Sequence, residues 1–85
     1  LFLFSPDETF MEEVKEICHP ILEQYQFTPV FFDITRTGRH LWIAIYFQIE
    51  ADSLEVKNLE LALKVLNEKA KEAFQESTCE LILVP

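Results

Sequence analysis

The side chains of this chain that could do chemistry are few: two histidines, His19 and His40, two cysteines, Cys18 and Cys79, and a group of carboxylates at Glu50, Asp52, Glu55 and Glu60. Cys18 and His19 are neighbours, and neighbours on a helix point about 100° apart, which is poor geometry for one ion. The carboxylates fall where a strand gives way to a helix and could hold a divalent cation weakly, with water completing the shell. Glu60, Asp52, Glu50 and His40 are therefore the metal-ligand candidates, although an acidic corner of this kind is also ordinary without a metal. Catalysis has less to work with. Gly38 is the only glycine, so there is no glycine-rich phosphate loop, and neither C-x-x-C nor H-E-x-x-H occurs. A Ser–His nucleophile would need His19 or His40 to meet a serine that no local motif marks. The residues point to binding, and no enzyme activity is expected.

These groups must be held by a small scaffold. Eighty-five residues make one domain, near the lower end of what a hydrophobic core can support alone. Apolar residues make up 49% of the chain, with eight Phe and one Trp, so a packed core is expected rather than disorder. At this size apolar burial only about offsets conformational entropy, which makes self-association an expectation on thermodynamic grounds. The net charge of −8, from 15 acidic and 7 basic residues, argues against nucleic acid, because no Lys/Arg stripe is present to displace phosphate counterions. It argues equally against docking on an anionic membrane surface. The cysteines read as small buried residues of a reducing compartment, with a disulfide between them left open. The longest apolar run, Leu41 to Phe47, is too short to span a bilayer, and no signal peptide is expected.

The order of elements reads helix, two strands, helix, strand. Ser5, Pro6 and Asp7 signal a helix start, and Phe10, Val14, Ile17, Ile21 and Tyr25 recur at helical spacing over residues 7–25, with Met11, Cys18 and Leu22 beside them. Pro20 is expected to kink or divide this helix. From Pro29 the period becomes two, with Val30, Phe32 and Ile34 on one face. Arg36-Thr37-Gly38-Arg39 reads as a hairpin turn. In the second strand Leu41, Ile43, Ile45, Phe47 and Ile49 alternate with Trp42, Ala44, Tyr46 and Gln48. Asp52 and Ser53 open a second helix over residues 55–75, buried through Leu59, Ala62, Leu63, Leu66, Ala70, Ala73 and Phe74, with Glu60 and Lys64 paired on its solvated side. Residues 78–84 form a last strand with Cys79, Leu81 and Leu83 on one side. A helix between strands two and three permits a parallel crossover, as in split βαβ folds. An α+β fold follows: a three-stranded sheet with two helices on one face.

Two helices cover one face of such a sheet and leave the other bare. The bare face carries Phe31, Trp42, Ala44 and Tyr46, more apolar surface than an uncovered sheet presents to water. Tyr and Trp are also enriched where proteins meet. These four residues form the expected partner or dimer surface, with cover by the N-terminal segment or plain exposure as the alternatives.

The run from Phe32 to Phe47, then Asp52-Ser53-Leu54 before the second helix, Phe74, and the strand ending at Pro85 resemble the C-terminal cytoplasmic domain of the cation efflux, or cation diffusion facilitator, transporters. The resemblance spans about residues 8 to 85 and rests on hairpin and spacing rather than an invariant motif. It implies a ferredoxin-like, metallochaperone-like domain that forms a homodimer and, in several members, binds metal at the dimer interface to regulate transport. Members export zinc, manganese, iron, cobalt or cadmium from the cytosol, usually by proton exchange, through a transmembrane bundle not contained in this chain. On that reading residues 1–6 lead in from a membrane domain and residues 7–85 form the cytoplasmic domain of a multi-pass membrane protein. The chain begins at Leu1, with its one Met at position 11, as a segment of a longer protein would. The histidine ligands of metal-binding members fall at Phe32, Tyr46, Glu60 and Ile82 here, and only Glu60 could ligate. The family's zinc site therefore looks lost, leaving at most a weakly bound divalent cation such as Zn, Mn, Fe or Co. The other reading is a free-standing small metal carrier or ferredoxin-like ligand-binding protein.

Overall fold

A computed structural model describes residues 8–49 and 55–85 of the chain. Its elements are α1 (Glu8–Gln24), β1 (Phe27–Thr37), β2 (His40–Ile49), α2 (Val56–Ala73) and β3 (Ser77–Leu83). The sheet order is β1-β2-β3. β1 and β2 pair antiparallel through a two-residue turn, and β2 and β3 pair parallel through the α2 crossover. In that turn Gly38 has φ 61, a value that favours glycine at the first central position of a hairpin. This is the expected α-β-β-α-β fold, with two helices and a three-stranded sheet.

The helices bury one face of the sheet. Val14, Cys18, Ile21 and Leu22 of α1 and Ala62, Leu66 and Ala70 of α2 meet Leu41, Ile43, Ile45 and Phe47 of β2 in a single core. Fully burying each of the large aliphatic side chains contributes roughly 1.5–3 kcal/mol. The β2 residues owe their burial to strict alternation, since every second side chain of a strand points to the same face.

Four local expectations are corrected. Pro20 does not divide α1, which runs unbroken from Glu8 to Gln24. Pro20 is exposed, so water can take the place of the missing backbone donor. Val30 does not share a face with Phe32 and Ile34. Pro29 pairs with Phe47 and Phe31 with Tyr46, so Val30 is the extra residue of a bulge and stands 54% exposed. Pro29 cannot donate to a ladder, and a bulge on an edge strand is where such a residue is tolerated. β1 also begins earlier than Pro29, at Phe27, whose ring packs on Phe47 with centroids 4.6 Å apart. Finally, Glu60 and Lys64 do not close an ion pair; among the described residues the ion pair present joins Lys69 and Glu72. Both lie exposed on α2, where such pairs contribute little.

The expected helix start at Ser5 to Asp7, the lead-in at residues 1–6, and Asp52 and Ser53 lie outside the described residues, as does the side chain of Phe10. α2 starts after Glu55, which supplies the N-cap backbone but no side-chain cap.

Candidate functional site

The face of the sheet away from the helices is organised in rows that the register defines. Thr35, Trp42 and Thr78 form one row, Asp33, Ala44 and Glu80 the next, and Phe31, Tyr46 and Ile82 the third. Phe31 and Trp42 are 58% and 42% exposed, while Ala44 and Tyr46 are half-buried by their neighbours alone. The rings of Phe31 and Tyr46 lie 5.9 Å apart and tilted, a favourable aromatic geometry. The His40 ring packs tilted against Trp42 with centroids 4.5 Å apart, and its Nε2 is 2.7 Å from the Thr78 hydroxyl. Those contacts fix the indole ring in place on an open surface. Phe31, Trp42, Ala44 and Tyr46 thus share one face and stand in adjacent rows.

Asp33 and Glu80 were not singled out from the sequence, although the alternation of β1 and β3 already places them on this face. They flank Ala44 and bring negative charge between two apolar rows. Any partner seated here must accommodate both carboxylates.

Of the metal candidates, His40 and Glu60 do not converge. His40 opens β2, whereas Glu60 follows the far end of that strand, so the two are separated by on the order of 20 Å at about 3.3 Å per strand residue. Glu50 and Asp52 lie outside the described residues. Among the described residues no group of three or more His, Cys, Asp or Glu side chains could hold a metal ion. The positions of the family ligands are also dispersed. Tyr46 and Ile82 pair on the open face, Phe32 is buried in the core on the opposite face, and Glu60 is exposed on α2.

The two cysteines, distant in sequence, meet in the core between α1 and β3. Both are free and buried. The hydrogen bond to Cys79, and then burial, push the Cys18 thiol far above its ordinary range. Cys79 Sγ in turn donates to the Leu66 carbonyl at 3.8 Å. The hydrogen bond with Cys18 lowers the Cys79 thiol against the opposing effect of burial, and neither thiol faces the open sheet surface. Another contact that sequence reasoning missed is Asn67. Its side chain accepts from the Cys79 amide at 2.9 Å and donates to the Leu63 carbonyl at 2.9 Å, with a longer donation to the Cys79 carbonyl at 3.4 Å. One amide thereby satisfies the outer edge of β3 and clips it to α2.

No protein-family model and no curated protein matches this chain. Solved structures do match. The zinc form of the zinc transporter CzrB superposes with a TM-score of 0.79 at 11% identity, covering 99% of this chain and 93% of that one. The metal-bound C-terminal domain of the CzcD transporter from Thermotoga maritima gives 0.65 at 14% identity, covering 94% of each chain. A cadmium form of the MamM C-terminal domain gives 0.55 at 9% identity, covering 88% of this chain and 95% of that one. At such identities the likeness establishes the fold. This chain has the fold of these three structures, over nearly its whole length and theirs. Among its described residues no helix is long and apolar enough to cross a membrane.

Proposed function

We propose that the chain is the cytoplasmic dimerisation and regulatory domain of a divalent-cation efflux transporter, and that two copies pair through the open sheet face. The observation that carries this reading is the exposed aromatic surface of Phe31 and Trp42, set beside Ala44 and Tyr46, on a fold shared with CzrB and CzcD. An open sheet face of this composition gains by meeting a second apolar surface. A second copy supplies one with matching shape, as a two-fold interface requires.

Regulation on this reading does not run through a histidine zinc site. Phe32, Tyr46 and Ile82 supply no imidazole where the resemblance would place one, and Phe32 is turned into the core. Carboxylates remain as the metal-binding groups, and they bind zinc or manganese weakly when water completes the shell. The domain then acts chiefly by pairing two transporter subunits. Zinc and cadmium belong by name to the neighbouring structures; the ion exported by this protein would be set in its membrane part.

The test begins with the coding sequence upstream of Leu1, which should encode several apolar helices in the same frame. The full-length protein should then protect metal-sensitive cells against a zinc, cobalt or manganese load. Trp42→Glu in that protein should lower protection without lowering its amount in the membrane. A short open reading frame with no apolar helices would overturn the transporter reading and leave a free-standing binding module.

A further inference from the structure

At one end of the molecule the strands outrun the helix packed beneath them. α2 ends at Ala73, while the β1–β2 hairpin continues to its turn at Gly38 and Arg39. Arg36 pairs with buried Leu41 and so lies on the side of β1 that faces the helices, but there the core has stopped. The overhang leaves a cleft of about 350 Å³ with Arg36 and Arg39 on its wall and Leu41 and Phe74 among its lining.

We propose that this cleft binds a phosphate group, carried by a soluble phosphate compound or by a lipid headgroup. Arg36 and Arg39 are the only two arginines of a chain with 15 acidic residues, and both line this one cleft. Neither forms an ion pair among the described residues, where the ion pair present is Lys69 with Glu72. Two planar guanidinium groups offer the fork of donors that phosphate oxygens take in pairs. Glu76 also lines the cleft and opposes an anion, and so do the C-terminal carbonyls of α2, which Lys71 in its last turn partly offsets. Two arginines against one carboxylate still leave the cleft positive in an otherwise acidic molecule. The partly exposed Phe74 side chain suits a phosphate ester with an apolar body better than bare phosphate. The overall charge of −8 repels an anionic bilayer, which makes a soluble phosphate compound the expected source.

The cleft is separate from the open sheet face, so the proposal stands or falls independently of pairing. Amide NMR spectra of the ¹⁵N-labelled chain should be followed during titration with inorganic phosphate and with phenyl phosphate, against sodium chloride at matched ionic strength. Shifts confined to residues 36–41 and 73–77, saturating at low millimolar phosphate and tighter for phenyl phosphate, are expected. Arg36→Gln with Arg39→Gln should weaken binding by at least about tenfold, since each lost charge-assisted hydrogen bond is large. Arg36→Lys with Arg39→Lys, which keeps charge but loses the fork, should fall between. Flotation with phosphatidic-acid vesicles distinguishes the sources: co-flotation that the double Gln variant loses assigns a headgroup, and its absence with phosphate shifts intact assigns a soluble compound. Shifts no larger than those with chloride, or shifts unchanged in a folded double Gln variant, would overturn the proposal and leave the arginines as counter-charges to the end of α2.

Discussion

Replacing Trp42 with Glu should abolish self-association while leaving the fold intact. A Trp side chain presents about 250 Å² when fully open. Trp42 is 42% exposed, which leaves on the order of 100 Å² to bury in each copy. Two copies contribute roughly 5 kcal/mol at about 25 cal/mol per Å². Phe31, at 58% exposure, contributes a similar amount. Association costs on the order of 4–15 kcal/mol, so even at the low end of that cost the surplus of about 6 kcal/mol places the pair at tens of micromolar rather than tighter. Losing the Trp42 share alone weakens it by three to four decades, at about 1.4 kcal/mol per decade. The introduced carboxylate would also join Asp33 and Glu80 on the same face. The core is untouched, because Leu41 and Ile43 beside Trp42 point to the helices and are 1% and 2% exposed. Far-UV circular dichroism should therefore be unchanged. Sedimentation equilibrium at about 100 μM should give a dimer for the wild type and a monomer for W42E, a separation that a shift of several decades guarantees. Two chains of charge −8 repel, so raising salt should tighten the wild-type pair. A wild type that stays monomeric at that concentration in low and high salt would refute the reasoning, as would a W42E variant that pairs as well as wild type.

Calorimetric titration of the metal-free chain with zinc should show only weak binding, above roughly 10 μM, because no imidazole or thiolate cage is assembled; a stoichiometric sub-micromolar site would contradict this. Stability should fall as pH rises beyond the ordinary thiol range. Above that range the unfolded chain has released both thiol protons, whereas the fold, with Cys79 lowered, still keeps the one on Cys18, so stability declines there by about 1.4 kcal/mol per pH unit. Urea midpoints measured from pH 7 to 10 should show that slope, and the Cys18→Ala, Cys79→Ala double variant should lose it; a wild type with a flat profile would count against the buried thiol pair. Asn67→Leu should cost about 1–3 kcal/mol by orphaning the Cys79 amide, and faster hydrogen exchange along β3 should accompany it; exchange that is unchanged would rule out the clip.

Much of this arrangement was legible in the residues because alternation and helical spacing are local signals. β2 shows it best: nothing interrupts its period of two, so both its faces could be assigned before any contact was known. β1 shows the limit. The apolar pattern from Val30 onward continues without a visible break, and the bulge arises only because Pro29 must sit where no amide is needed. The meeting of Cys18 with Cys79, and of Asn67 with the edge of β3, depends on how elements stack, and spacing along the chain carries no trace of either. The open sheet face was legible as a set of side chains, whereas its carboxylate row needed the register of three strands. The metal candidates were chosen for residue type near one corner. The topology then set His40 and Glu60 at opposite ends of β2, a separation that residue type alone does not encode.

Trp42 is the one tryptophan of the chain and sits on the proposed interface, so its fluorescence reports directly on the central claim. Emission should be recorded across a dilution series that brackets a midpoint of tens of micromolar, alongside mass from sedimentation. Pairing through the open sheet face requires the emission maximum to move to shorter wavelength as mass doubles, with one shared midpoint. A dimer whose Trp42 emission never changes would place the interface elsewhere on the molecule and contradict the account.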